Sequence, residues 1–418
     1  MGFFKETFRS LRVHNYRLWA AGALVSNLGT WMQRIAQNWL VLTVLTDNNA
    51  SAMGLIMALQ FGPTLVLLPW VGPAADRFDR RKLLATTQVV QGMLALGLGL
   101  LTISGQVQLW HVYLFALLLG CATAFDSPAR HAFVAELVGE ADLSNAVALN
   151  STSFNAARMV GPAMVGVLIG AVGTGWVFLL NAASFIAVIG SLLAIRVETL
   201  HRGRRPASKS GGLIESLRYI WRRPDLVVVF LMLFLVSAFG LNFQIFIAAM
   251  AVTVFHAGAE EFGLLSSAMA VGTVTGALLA ARRGAPRFAT LVGGATILGG
   301  GSALAAVMPT TWLFGLALVL TGVAAQTFIT TANSFVQLRT DSFMRGRVMA
   351  FYLAILLGCT PIGSPVVGWV ADFCGPRWAL GVGALACLVA AGSGIGFLRR
   401  DRSKRTREGG NPPPMSGR

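Results

Sequence analysis

Charge is scarce in this chain. Only 12% of its 418 residues are Asp, Glu, Lys or Arg, about half the share of a water-soluble domain, while 55% are hydrophobic and the mean hydropathy is +0.67. That balance excludes a water-soluble fold. Cysteine is nearly absent: Cys121, Cys359, Cys374 and Cys387 form no CxxC pair and sit mostly in apolar stretches, which excludes a disulfide framework and leaves packing as their role. There is no GxxxxGK phosphate loop followed by Ser or Thr, no HExxH and no GxSxG, so the chain reads as neither an ATPase nor another enzyme, with no catalytic residue and no metal site.

What is abundant is apolar sequence in long runs. Segments near 18–45, 52–71, 83–103, 109–127, 146–172, 175–196, 225–255, 262–281, 288–308, 311–336, 348–372 and 377–398 are each near the roughly 20 residues that cross a bilayer. The fold class is therefore an all-α integral membrane protein of twelve transmembrane helices. Placing the N-terminus in the cytoplasm puts every Lys and Arg except Arg34, Arg158 and Arg377 on the inner side. So one-sided a distribution predicts a multi-pass membrane protein with both termini cytoplasmic. The net charge of +16 then reflects topology against an anionic leaflet, and no nucleic-acid partner is expected.

Five regions follow. Residues 1–17 form a cytoplasmic amphipathic segment, with Phe4, Phe8 and Leu11 on one face and Lys5, Arg9 and Arg12 on the others. Residues 18–196 and 225–398 are two six-helix bundles. Residues 197–224 are a basic linker in which Leu213, Ile214, Leu217, Ile220 and Trp221 mark a short surface helix, and 399–418 a disordered tail. A shift of 202 residues superposes Phe133 and Val134 on Phe335 and Val336, Gly161 on Gly363, Gly166 on Gly368, Gly173 on Gly375 and Trp176 on Trp378. The bundles are thus expected to be pseudo-symmetric copies.

Between the second and third spans, the run Gly72 to Leu84 packs Asp76, Arg77, Asp79, Arg80, Arg81 and Lys82 into a tight charged turn. Its Gly72, Asp76, Arg77, Arg80 and Arg81 resemble the signature loop of the major facilitator superfamily of transporters, with Asp79 where that family often has Gly. The resemblance implies that Asp76 caps the helix beginning near Val348, where the helix end is positive. It also implies that Arg80 pairs with Asp126, which closes the fourth span, so that these residues form a cytoplasmic gate. The alternative is that the bases simply anchor the spans. In the fifth span, Gly161, Pro162 and Gly166 partly resemble the antiporter motif of drug-exporting facilitators and predict a kinked, closely packed helix.

Charges inside spans are costly and mark function. Arg34 and Arg158 both lie near midspan without an acid beside them. One reading puts both in a shared central cavity that receives an anion, with Gln37, Asn38, Asn155, Gln244 and Gln326 as further lining. The other has neighbouring amides hold each guanidinium to lock helices together. The runs Ser26 to Thr43, Asp126 to Gly139 and Asn145 to Ala163 are similar to the branch containing enterobactin exporters and macrolide efflux proteins. That similarity implies export of a small amphipathic organic molecule, siderophore-like or drug-like, by alternating access and proton antiport. The proton gradient replaces any cofactor, the bilayer and the small-molecule substrate are the partners, and a monomer suffices. A membrane receptor or a lipid-moving protein on the same fold is the alternative. No Asp or Glu is at midspan, so Asp76 and Asp126 carry the coupling proton only by elimination, and pairing with Arg lowers a carboxylate's proton affinity.

Overall fold

The computed structural model of the chain describes residues 8–68, 70–71, 74, 78–201, 213–281, 286–341 and 343–407. Thirteen helices account for nearly all of them, and there is no strand among the described residues. In the first half these are α1 (His14–Leu40), α2 (Ala50–Val66), α3 (Arg80–Ile103), α4 (Leu109–Glu140), α5 (Asp142–Val172) and α6 (Thr174–Ala194). The short α7 (Leu213–Trp221) bridges to α8 (Pro224–Val254), α9 (Ala259–Ala281), α10 (Phe288–Val307), α11 (Thr311–Arg339), α12 (Arg345–Phe373) and α13 (Pro376–Arg407).

Ten of these are long and apolar enough to cross a membrane, among the described residues. The expected twelve include α1 and α2, which fall short for different reasons. The amides and the guanidinium of Asn27, Gln33, Arg34, Gln37 and Asn38 dilute α1, whereas α2 is apolar but only 17 residues long. Both still pack lengthwise in the bundle, α1 against α6 and α5, and α2 against α12.

The sequence reading ends the fourth span at 127 and leaves a long connection. Instead α4 runs on to Glu140, because Phe133, Val134, Leu137 and Val138 form a buried stripe under its polar residues. The turn into α5 is made at Gly139, whose φ of +71° suits a residue without a Cβ. Ahead of α1 the segment Arg9–Arg12 is a single 3-10 turn, while Phe4 and Lys5 of the expected amphipathic segment lie outside the described residues. It docks on the start of α5: Ser10 Oγ donates to Asn145 Oδ1 at 2.8 Å, and Arg9 pairs with Asp142.

Helices α1 to α6 pack mainly on one another, as do α8 to α13; the halves meet where α2 lies on α12 and α5 on α9. Residues 202 apart play matching parts there. A Cβ on Gly166 would stand 3.0 Å from the Ala259 carbonyl oxygen at the start of α9, and one on Gly368 2.5 Å from that of Ala50 at the start of α2. Gly173 and Gly375, with φ of +82° and +99°, precede α6 and α13, and the exposed Trp176 and Trp378 follow them. The four thiols are free.

Helix ends fall on two levels. The starts of α1, α3, α5, α8, α10 and α12 share one level with the basic clusters, called here the basic end; the starts of α2, α4, α6, α9, α11 and α13 lie at the far end.

Candidate functional site

A cavity of about 250 Å³ lies between the halves at mid-depth. The first half contributes Trp31, Ile35, Arg158 and Pro162; α8, α9 and α11 supply the rest, including Gln244, Phe262, Thr273 and Gln326. Helix α8 can present Gln244 because its regular winding fails just before it. A π turn at Val236–Gly240 leads into a break at Leu241–Asn242, where Asn242 Nδ2 donates back to the Ala238 carbonyl at 2.6 Å. Breaks of this kind persist in a membrane only where protein or a cavity satisfies the freed backbone.

Arg158 is the charged residue of this lining. Its Nη2 donates to Thr273 Oγ1 of α9 at 3.0 Å, across the interface between the halves. Gln326 Nε2 donates to Thr330 Oγ1 at 3.1 Å, which leaves its carbonyl oxygen available. The cavity is otherwise apolar and aromatic, the usual surface of a site that grips an organic molecule and orients it with few polar groups.

Arg34 is not part of it, contrary to the shared site expected. Trp31 and Ile35 of α1 line the central cavity, and Arg34 is about 100° further round the helix from Ile35. It points into the first bundle, where a separate cavity of about 10 Å³ is lined by Gln33, Gln37, Gln60, Gln91 and Asn181. That space holds no more than about one water. The guanidinium carbon stands 5.0 Å from the Trp31 ring and 5.7 Å from that of Phe61, and Nε is buried without a partner. Gln37 goes with Arg34; Asn38 is buried, 3.5 Å from Gln244; Asn155 turns back to the Ser151 carbonyl.

The expected gate is also rearranged. Gly72, Asp76 and Arg77 lie outside the described residues. Arg80 does not meet Asp126: its Nη1 donates to Glu136 Oε1 at 2.7 Å. The cause is the extension of α4, which brings Glu136, and not Asp126, level with the first residue of α3. Asp126 is buried and accepts from Thr87 Oγ1, Gln88 Nε2 and its own-helix Arg130 at 2.6–3.0 Å. Arg81 donates to the Leu192 and Leu193 carbonyls at the end of α6, where a cation is favoured. In α5 the backbone stays helical through Gly161 and Pro162, the non-helical residue of the α4–α5 run being Gly139. The role of Gly161 and Gly166 is close approach: Gly161 faces Trp31, and Gly166 with the Pro162 carbonyl receives Gly263 of α9.

At the far end Asp372 joins the halves. Its carboxylate accepts from the backbone N–H of Ala50 at 2.6 Å and of Ser51 at 2.8 Å, and from Ser51 Oγ. Further inward, Ser364 Oγ donates to the Gly54 carbonyl at 3.1 Å. Among the described residues, every side-chain hydrogen bond between the halves lies at mid-depth or toward this end.

The family profile described as transmembrane secretion effector matches residues 5–407. The chain belongs to that family, within the major facilitator superfamily of membrane transporters. A staphyloferrin A transporter of Staphylococcus aureus is 26% identical over 357 residues, covering 83% of this facilitator and 87% of its own chain. The multidrug efflux pump Tap of Mycolicibacterium fortuitum is 24% identical over 368 residues, covering 84% and 88%. Among solved structures, a bacterial homologue of the human lysosomal transporter Spinster, inward-facing and unoccupied, matches with a TM-score of 0.75 at 14% identity over 93% of this chain and 98% of that one. At that identity the likeness is one of fold.

Thr273, Glu136 and Asp372 escape the sequence reading of this facilitator. Asp372 does leave a signal: an acid in the last turn of its own helix faces the negative end of that helix, so its position calls for a donor elsewhere.

Proposed function

We propose that this facilitator exports an amphipathic organic molecule with anionic character from the cytoplasm across the bacterial inner membrane, by alternating access and proton antiport, as a monomer. The observation that carries the reading is Arg158, the one charged residue among the described residues lining a mostly apolar cavity between the halves. A guanidinium suits a carboxylate, which it can grip in bidentate fashion, and the aromatic wall suits the rest of an amphipathic molecule. Among the relatives, the staphyloferrin A transporter supports a siderophore as the cargo and the efflux pump Tap supports export. The basic end is taken as cytoplasmic from the distribution of Lys and Arg, and among the described residues the side-chain hydrogen bonds between the halves, all at mid-depth or toward the far end, suit a cavity entered from the cytoplasm.

Everted membrane vesicles test this with two probes, staphyloferrin A as a polycarboxylate siderophore and erythromycin as a macrolide. With the vesicle interior acidified, the siderophore is expected to accumulate above protein-free vesicles and to stop when a protonophore collapses the gradient. Accumulation that survives the protonophore contradicts antiport. Preference for erythromycin, with no response to Arg158→Gln, contradicts the anionic assignment.

A further inference from the structure

A larger, partly open cavity of about 1090 Å³ lies at the basic end of the second half, and Arg158 is not among its lining residues. Helix ends from α7, α8, α10, α11 and α13 surround it. Its floor is aromatic: the Phe288 ring lies 5.6 Å from that of Phe335 and 5.1 Å from that of Phe397. Its rim is cationic, with Arg223, Arg339 and Arg400 against the single acid Asp225.

The three arginines are not equivalent. Arg223 donates through Nε and Nη2 to both oxygens of Asp225, at 3.1 and 3.0 Å, and that hydrogen bond is the main reason its pKa is raised. This pair is internally neutral. Arg339 lies over the Phe335 ring at 5.4 Å, and neither it nor Arg400 has a carboxylate partner among the described residues. Among the described residues, two guanidinium groups without a carboxylate therefore stand over an aromatic floor. Trp221, 70% exposed at the rim, marks the depth, because an amphipathic indole at a helix end settles at the headgroup level of a bilayer.

We infer that this cavity binds an anionic glycerophospholipid, with Arg339 and Arg400 holding the phosphate and an acyl chain lying on Phe288, Phe335 and Phe397. A free phosphate ion gains nothing from the aromatic floor, and a zwitterionic lipid brings a cation of its own to an already cationic rim. Basic pockets between helix ends are the usual seat of such headgroups. The site stands apart from the export reading; only its assignment to the cytoplasmic leaflet shares that orientation.

The test uses the full-length protein purified in a neutral detergent, with bound lipid counted by native mass spectrometry and affinity read from the rise in unfolding temperature on titration. The probes are dioleoyl phosphatidylglycerol, dioleoyl phosphatidylcholine and glycerol 1-phosphate. Phosphatidylglycerol is expected to be retained as one tightly held molecule and to stabilise the protein, while the other two leave it unchanged. Each guanidinium removed in Arg339→Gln and Arg400→Gln is expected to lower that affinity roughly fivefold. Arg339→Lys should retain most of it, and Arg222→Gln, outside the cavity, all of it. Equal retention of phosphatidylcholine, or unchanged phosphatidylglycerol affinity in the Arg339→Gln/Arg400→Gln double variant, overturns the assignment. So does stabilisation by glycerol 1-phosphate alone, which makes it a site for soluble anions.

Discussion

The Asp372 carboxylate at the end of α12 accepts the backbone N–H groups of Ala50 and Ser51 at the start of α2. The Asn49 side chain accepts the next, from Ala52, at 2.9 Å, so the first turn of α2 is fully capped, and one of its two caps comes from the other half of the molecule. The two helices run antiparallel, and the signature hairpin places a second carboxylate, Asp76, after α2. Family resemblance directs that one to the start of α12. Each helix would then offer a carboxylate to the positive end of the other, Asp372 closing the far end and Asp76 the basic end.

Asp372→Asn keeps the shape of the side chain but removes its charge, and an amide can no longer accept at both oxygens. Hydrogen bonds to a charged group contribute about 1.5–3 kcal/mol each. The far-end-open population is therefore expected to rise at least tenfold. In a background without the native cysteines, a cysteine introduced at Ala50, buried at the start of α2, reports this as faster alkylation by a membrane-impermeant reagent from outside. An unchanged rate assigns Asp372 to surface capping only.

Two glycines of α12 separate folding from closure. A Cβ on Gly363 would lie 1.6 Å from the Ala238 carbonyl oxygen, within the second half, whereas one on Gly368 would meet Ala50 of the first half at 2.5 Å. Gly363→Ala is expected to lower thermal stability by an amount typical of overpacking, about 1–3 kcal/mol. Gly368→Ala should leave the unfolding temperature of the second half near wild type and impair far-end closure. Thermal unfolding and the same alkylation assay distinguish them.

Much of this was legible in the sequence. Hydropathy located the helices, and the 202-residue repeat paired Gly166 with Gly368, which make like contacts between the halves. What was not legible depends on which neighbour a helix face meets. Arg34 and Ile35 are adjacent in sequence, yet packing sends one into the first bundle and the other to the central cavity. The polar residues 128–140 looked like a loop because their buried stripe is amphipathic and not uniformly apolar. That misplacement moved the expected partner of Arg80 from Glu136 to Asp126.

The Arg80 and Glu136 side chains are 19% and 17% exposed, so their 2.7 Å pair is partly desolvated. Glu136→Gln is expected to destabilise the first half by about 1–3 kcal/mol, since it leaves a largely buried guanidinium without its charge partner. The exchange Arg80→Glu with Glu136→Arg should recover part of that loss. Asp126→Asn should not be rescued by any change at Arg80. Thermal unfolding of these variants measures the coupling, and a coupling of Arg80 to Asp126 contradicts the geometry.

The two midspan arginines should behave differently in transport. Arg158→Gln is expected to raise the KM for a polycarboxylate probe about tenfold or more, with Arg158→Lys between it and wild type. Arg34→Gln should leave that KM within about twofold, because its side chain faces a space too small for any such substrate. Initial rates of uptake in everted vesicles decide this. Equal effects of both substitutions would restore a shared site.

Alternation about the Asp372 contact is tested most directly by electron–electron distance measurements between spin labels at Gln106 and Pro309, exposed far-end positions of the two halves, in a background without the native cysteines. Two distance populations are predicted, the shorter dominant in the wild type and the longer one enriched by Asp372→Asn. A single distribution, identical in both proteins, contradicts it.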